Sequence, residues 1–144
     1  MAAPDAGGAK RANSYSKKLD LGLAMCHKQR KVANEVAEMT VIGDVKGKDV
    51  ILVDDMVDTA GTLTKAADLF LENGATSVRA LCTHAVLSGP AYDRIENSSL
   101  LELVVTDSIP LKKESDKIKV LSVAELYANV MQSLVNQESI SRLF

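Results

Sequence analysis

Val50-Ile51-Leu52-Val53 is an unbroken aliphatic run, followed at once by two aspartates. A strand with one face in water alternates apolar and polar residues. A run without alternation belongs to a strand covered on both faces, as in a parallel sheet between helices. The rest of the chain repeats the unit that such a sheet needs. Leu21–His27, residues 40–45, Asp49–Val53, Val78–Val86, Leu101–Val105 and Ile118–Leu121 read as strands. Gly8–Leu19 reads as a polar helix. Leu63, Ala66, Ala67, Phe70 and Leu71 recur at helical spacing and are closed by Asn73-Gly74. A short helix around Ala91–Ile95 follows the turn Ser88-Gly89-Pro90. Ser122 and Glu125 have the spacing of a capping box, and Val123, Leu126, Val130 and Leu134 make one face of a terminal helix, with a stripe expected to lie on the sheet and the helix and its tail expected to pack into an oligomer interface. The expected fold is α/β, a mostly parallel open sheet with helices on both faces, in one domain over residues 1–144.

The 144 residues suffice for one domain with a real core. The net charge of −2 gives no electrostatic reason to expect nucleic acid. No apolar run approaches the roughly 18 residues of a membrane span, and no signal peptide is visible, so a cytoplasmic protein without a membrane partner is expected. Cys26 and Cys82 fall in expected strands and read as reduced core thiols. Three Tyr, two Phe and no Trp leave little on which to stack a nucleobase. His84 ends a strand, where packing and ligand contact are equally open readings. Lys46 and Lys48 flank Gly47 as a solvated turn. The segment KQRKVANEVAEM, residues 28–39, is charged and irregular, and reads as a mobile loop.

In an open parallel sheet, ligands bind at the carboxyl ends of strands. Asp54 and Asp55 stand there, and Asp58-Thr59-Ala60-Gly61-Thr62 then turns into the next helix. Such a turn aims backbone N–H groups and the hydroxyls of Thr59 and Thr62 at one point near a helix N-terminus, which suits a phosphate. Gly61 and Ala60 permit close approach of the backbone. Carboxylates beside a phosphate site make sense if they accept hydrogen bonds from sugar hydroxyls or hold Mg²⁺. The chemistry therefore points to a sugar phosphate. The competing structural account is that Asp58 or Thr59 merely caps the helix.

VILVDDMVDTAGTL (Val50–Leu63) resembles the phosphoribosyl-pyrophosphate-binding motif of type I phosphoribosyltransferase-fold proteins. With PDAGGAKRA (Pro4–Ala12), HKQRKVAN (His27–Asn34), THAVLSGPA (Thr83–Ala91) and ESISRLF (Glu138–Phe144), the chain resembles the C-terminal half of the ribose-phosphate pyrophosphokinase family, the phosphoribosyl pyrophosphate synthetases. The resemblance implies transfer of pyrophosphate from ATP to the 1-hydroxyl of ribose 5-phosphate, with Mg²⁺, in a subunit of two similar halves that commonly assembles as hexamers. It implies that Asp58, Thr59, Ala60, Gly61 and Thr62 hold the 5-phosphate and that Asp54 and Asp55 meet the ribose hydroxyls. It assigns Asp5 to Mg²⁺, Lys28 and Arg30 to a catalytic loop, and Ser139 and Ser141 to an allosteric phosphate site. His27, Gln29 and Ala85 depart from residues common in the family. The Gly-rich turn near Met1 has no expected strand before it, and the resemblance implies a missing N-terminal half that carries most adenine contacts. Two other functions stay open: a nucleobase phosphoribosyltransferase, for which no base-binding segment is found, and a non-catalytic regulatory homologue.

Overall fold

The computed structural model describes residues 1–29 and 38–143. In chain order the elements are β1 (Ala2–Ala3), α1 (Ala9–Leu19), β2 (Ala24–Gln29), β3 (Glu38–Ile42), β4 (Asp49–Val57), α2 (Gly61–Glu72), β5 (Ser77–Ala85), α3 (Ala91–Glu96), β6 (Glu102–Thr106), β7 (Ile118–Leu121), α4 (Ala124–Val135) and a 3₁₀ turn at Ser141–Leu143. The strands form one seven-stranded sheet in the order β3-β2-β1-β4-β5-β6-β7. Among the described residues, only β3 runs antiparallel to its neighbour.

The expected α/β class and mostly parallel sheet are observed. The unalternating run explains itself: Leu52 is fully buried and Val50 and Val53 nearly so, in a strand flanked by β1 and β5. Below the sheet, Phe70, Ala66 and Ala67 of α2 join Leu52, Val78, Ala80, Leu103 and Ile95 in one apolar core. The step from β1 through α1 to β2 goes one way along the sheet, and the step from β4 through α2 to β5 goes the other. Right-handed crossovers then place α1 and α2 on opposite faces. On its own face α1 packs against β1 and β4.

Four features differ from expectation. Residues 2–3 form a strand in the middle of the sheet, with Ala2 paired to both Ala24 and Leu52. The Gly-rich turn does therefore follow a strand, one too short for any periodicity to reveal. β4 runs on through Asp54 and Asp55 to Val57, because Asp54, Met56 and Val57 continue the ladder against Cys82, His84 and Ala85 of β5. The capping box is not formed: the α4 N-cap is Val123 with no side-chain cap of its own. Instead Asp107, just past β6, accepts from the Val123 N–H at 2.9 Å and the Ser122 hydroxyl at 2.6 Å. Finally, α4 does not lay its apolar face on the sheet. Leu126, Tyr127, Met131, Leu134 and Val135 are all exposed, and Ser133 is the helix's one buried residue.

The connection from β3 to β4 turns at Gly43, whose φ of 106° is open only to glycine and whose missing Cβ would lie 2.6 Å from the Leu23 carbonyl oxygen.

Candidate active site

The chain leaves β1 and β4 in opposite directions, so the carboxyl ends of these neighbouring strands face a crevice between two loops. One is Pro4–Gly8, after β1. Asp5 Oδ1 accepts from the Gly8 N–H at 3.1 Å and closes that loop into a turn. The other is Asp58–Ala60, after β4. Gly8 sits so near β4 that a Cβ there would be 3.6 Å from the Val53 carbonyl oxygen. The two loops border a cavity of about 240 Å³ lined by Asp5, Asp54 and residues 56–63. An open cleft of about 840 Å³ shares Asp5, Thr59, Gly61 and Thr62 with it and is lined also by Cys26, Lys65 and Arg94, among others.

Helix α2 opens on this crevice. Its N-cap is Ala60, in the left-handed region at φ 60°, and no side chain caps it. The structural account in which Asp58 or Thr59 caps the helix is thus not what is seen. Asp58 instead accepts a short hydrogen bond from the Ser88 hydroxyl, while Ser88 N–H donates to the Asp58 carbonyl at 3.0 Å. The first N–H groups of a helix have no partner within it. Here those of Gly61, Thr62 and Leu63 begin a helix whose dipole is positive at this end. The loop therefore has the make-up of an anion site, held from outside by the Ser88 turn.

Asp54 and Asp55 are brought together with a cation that the sequence reading did not single out. Arg11, on the first turn of α1, donates from Nη1 to Asp54 Oδ1 at 2.9 Å and pairs from Nη2 with Asp55 Oδ2 at 2.6 Å. Asp55 N–H adds a bond to Asp54 Oδ1 at 2.9 Å. Burial pushes the Asp54 carboxyl above the usual carboxylate range, against the pull of these donors. Burial also pushes on Asp55, but its interaction with Asp54 and the Arg11 charge outweigh it and hold Asp55 below that range. One cation thus serves two acids, and they titrate as a pair. Arg11 lies inside the quoted motif PDAGGAKRA, yet only the fold shows what it reaches.

Of the other expected residues, Asp5 borders both cavities. Lys28 is on β2, whose carboxyl end lies on the crevice side of the sheet. The Lys28 side chain and the whole of Arg30 lie outside the described residues, as does most of the segment read as a mobile loop. Ser139 and Ser141 are on the exposed tail beyond α4, where Ser139 Oγ accepts from the Ser141 N–H at 3.3 Å. Both cysteines are buried free thiols, as expected. Burial raises each to a pKa of about 11. His84 Nδ1 is 3.0 Å from Ser108 Oγ, a contact within the sheet end rather than with the phosphate loop. No helix among the described residues is long and apolar enough to cross a membrane.

Residues 30–144 match the family model described as the phosphoribosyl synthetase-associated domain. The chain belongs to that family. This phosphoribosyl synthetase-associated domain is similar along its whole length to proteins named ribose-phosphate pyrophosphokinase. It is 56% identical over 144 residues to that of Porphyromonas gingivalis, of which it covers 46%. It is 54% identical to that of Campylobacter jejuni, covering 47%. With ribose-phosphate pyrophosphokinase A of Dictyostelium discoideum it shares 48% over 147 aligned residues, covering 46%. The domain thus spans about half the length of the curated relatives it matches. Its fold matches the crystal structure of phosphoribosylpyrophosphate synthetase from Mycobacterium smegmatis with a TM-score of 0.86 and 37% identity, over 94% of this chain and 44% of that one.

Proposed function

We propose that this chain is the ribose 5-phosphate-binding part of an enzyme that transfers pyrophosphate from ATP to the 1-hydroxyl of ribose 5-phosphate, giving 5-phosphoribosyl 1-pyrophosphate and AMP. Its assignment to the C-terminal half of a longer subunit rests on the motifs, Glu138–Phe144 among them. The observation that carries the reading is the juxtaposition at β4: an uncapped helix N-terminus beside a carboxylate pair, in a crevice between two loops. The 5-phosphate would take the N–H groups and the Thr59 and Thr62 hydroxyls. Asp54 and Asp55 would accept from ribose hydroxyls, in exchange for part of their contact with Arg11. Lys28 and Arg30 remain the residues proposed to meet the charge of the migrating phosphates, since positioned cations act where negative charge develops.

Among the described residues no group of three or more acids, histidines or cysteines converges on a cation. Mg²⁺ commonly binds through one or two carboxylates, with substrate phosphates and water completing its shell. Asp5 at the crevice edge fits an ion that arrives with substrate, and such an ion would neutralise phosphate charge there. ATP is proposed to bind partly on chain beyond this domain, in line with the family likeness. A homo-oligomer is proposed from the family likeness, and the exposed apolar residues of α4 support it.

Calorimetric titration of the chain with ribose 5-phosphate tests this. Thr62→Ala should weaken binding by about 1–2 kcal/mol, the scale of a hydrogen bond to a charged group. An unchanged affinity would count against the site. AMP formation from ATP and ribose 5-phosphate by the full-length parent separates the proposal from a regulatory homologue.

A further inference from the structure

The Asp58–Thr62 loop borders two cavities. Asp5, Thr59, Gly61 and Thr62 line both the smaller, of about 240 Å³, and the larger, of about 840 Å³. Ala60 lines only the smaller cavity, and Arg94 only the larger. Arg94 is on α3, a short helix seated by buried Ala91, Tyr92 and Ile95. Its guanidinium leaves that seat and donates from Nη1 to the Thr59 carbonyl oxygen at 2.9 Å.

We propose that Arg94 is a positioning residue for the anion site, acting through the Thr59–Ala60 peptide. The inference rests on the sugar-phosphate reading above. A trans peptide carries its C=O and N–H antiparallel, and the described chain has no cis bond. Drawing the Thr59 carbonyl toward Arg94 on one side therefore turns the Ala60 N–H toward the other. Ala60 lines the smaller cavity, where the phosphate is placed, and Arg94 does not. Without the guanidinium the peptide could present its oxygen to the anion, which repels. The left-handed φ of 60° at Ala60 gives the peptide a second reason to relax, since a non-glycine residue is strained there.

Gly61 supports the same arrangement. A Cβ on Gly61 would lie 3.2 Å from Arg94 Nη1 and 3.7 Å from Cζ. Gly61 has no positive φ, so backbone freedom is not what asks for glycine; the approach of the guanidinium does.

The test is a double-mutant cycle on the whole chain, with ribose 5-phosphate and inorganic phosphate as probes. Arg94→Ala should weaken both by about tenfold, the loss of roughly one charge-assisted hydrogen bond. It should abolish the shift of the Ala60 amide resonance on adding phosphate. Methylguanidinium in the buffer should recover part of the affinity. Gly61→Ala should weaken binding in the wild-type chain and have no further effect in Arg94→Ala. Wild-type affinity in Arg94→Ala, or full additivity of the two changes, overturns the role of Arg94 while leaving the phosphate site standing. If Arg94→Ala does not fold, Gly61→Ala alone decides: an unchanged affinity overturns the proposal. If the wild-type chain binds neither probe, the sugar-phosphate reading falls and takes this inference with it.

Discussion

Replacing Arg11 by Met keeps most of the side-chain volume and removes the cation that, among the described residues, pairs with both Asp54 and Asp55. The Arg11 side chain is 32% exposed, Asp54 25% and Asp55 62%, so the pairs sit between a surface and a buried setting. At the observed 2.9 Å, a unit pair is worth about 1.4 kcal/mol in bulk water and about 6 kcal/mol at an effective dielectric of 20. Exposed pairs measure about 0–1 kcal/mol net, and broken buried pairs cost about 3–5 kcal/mol. For partial exposure we expect a loss of about 1–2 kcal/mol at pH 7, or roughly 3–8 °C in Tm. The pH dependence carries the sharper test. Asp54 already has a raised pKa from burial, so the folded chain holds its proton more tightly than the unfolded one, and stability from this group falls as pH rises through the carboxylate range. Asp55 has a lowered pKa and works the opposite way, its contribution being present at neutral pH and lost in acid. Removing Arg11 raises both. The deficit of Arg11→Met should therefore be full at pH 7, shrink as pH falls through the carboxylate range, and vanish only below the lowered pKa of Asp55. Urea unfolding across that range measures it. Equal deficits at both ends would mean that packing, not charge, is what Arg11 supplies.

Gly43→Ala should destabilise the chain by about 1–3 kcal/mol in urea unfolding, because the new Cβ meets a backbone carbonyl at 2.6 Å that has no freedom to yield. Wild-type stability would refute the placement of this turn against the start of β2. Cys26 and Cys82, with pKa values raised to about 11 by burial, should resist thiol reagents at neutral pH until the chain is unfolded; prompt labelling of the native chain would refute their burial. Asp107 has a lowered pKa, first from the Ser122 hydroxyl and then from the Val123 N–H, so what it contributes is present above the ordinary carboxylate pKa and lost as pH falls below it. Protection of the amides in the first turn of α4, relative to their intrinsic exchange at each pH, should fall in acid, and Asp107→Asn should remove that pH dependence; a dependence that persists would place the cause elsewhere.

The sequence by itself determined the layers and the set of groups that Asp54–Thr62 presents. Val50–Val53 could only be a strand covered on both faces, and the helical period from Leu63 to Leu71 could only be one of its covers. The carboxylates, hydroxyls and small residues of Asp54–Thr62 could be read together because the segment is local, with every group within nine residues of chain. The rest was not local. Ala2–Ala3 is a strand only because its neighbours pair with it, and two residues have no period to read. The apolar residues of α4 have a helical pattern, but pattern does not say which surface they meet, and here Tyr127, Met131, Leu134 and Val135 stay mostly exposed. Arg11 is 43 residues from Asp54 and Arg94 is 35 from Thr59. Neither stands in a spacing that announces a partner. Arg11 reaches the acids because β1 and β4 are adjacent where the sheet reverses direction, and Arg94 reaches the loop because α3 packs beside α2. A local pattern can specify which groups one segment presents. The charges that balance and orient those groups came from segments brought near by the folding of the sheet, and that proximity exists only in the tertiary structure.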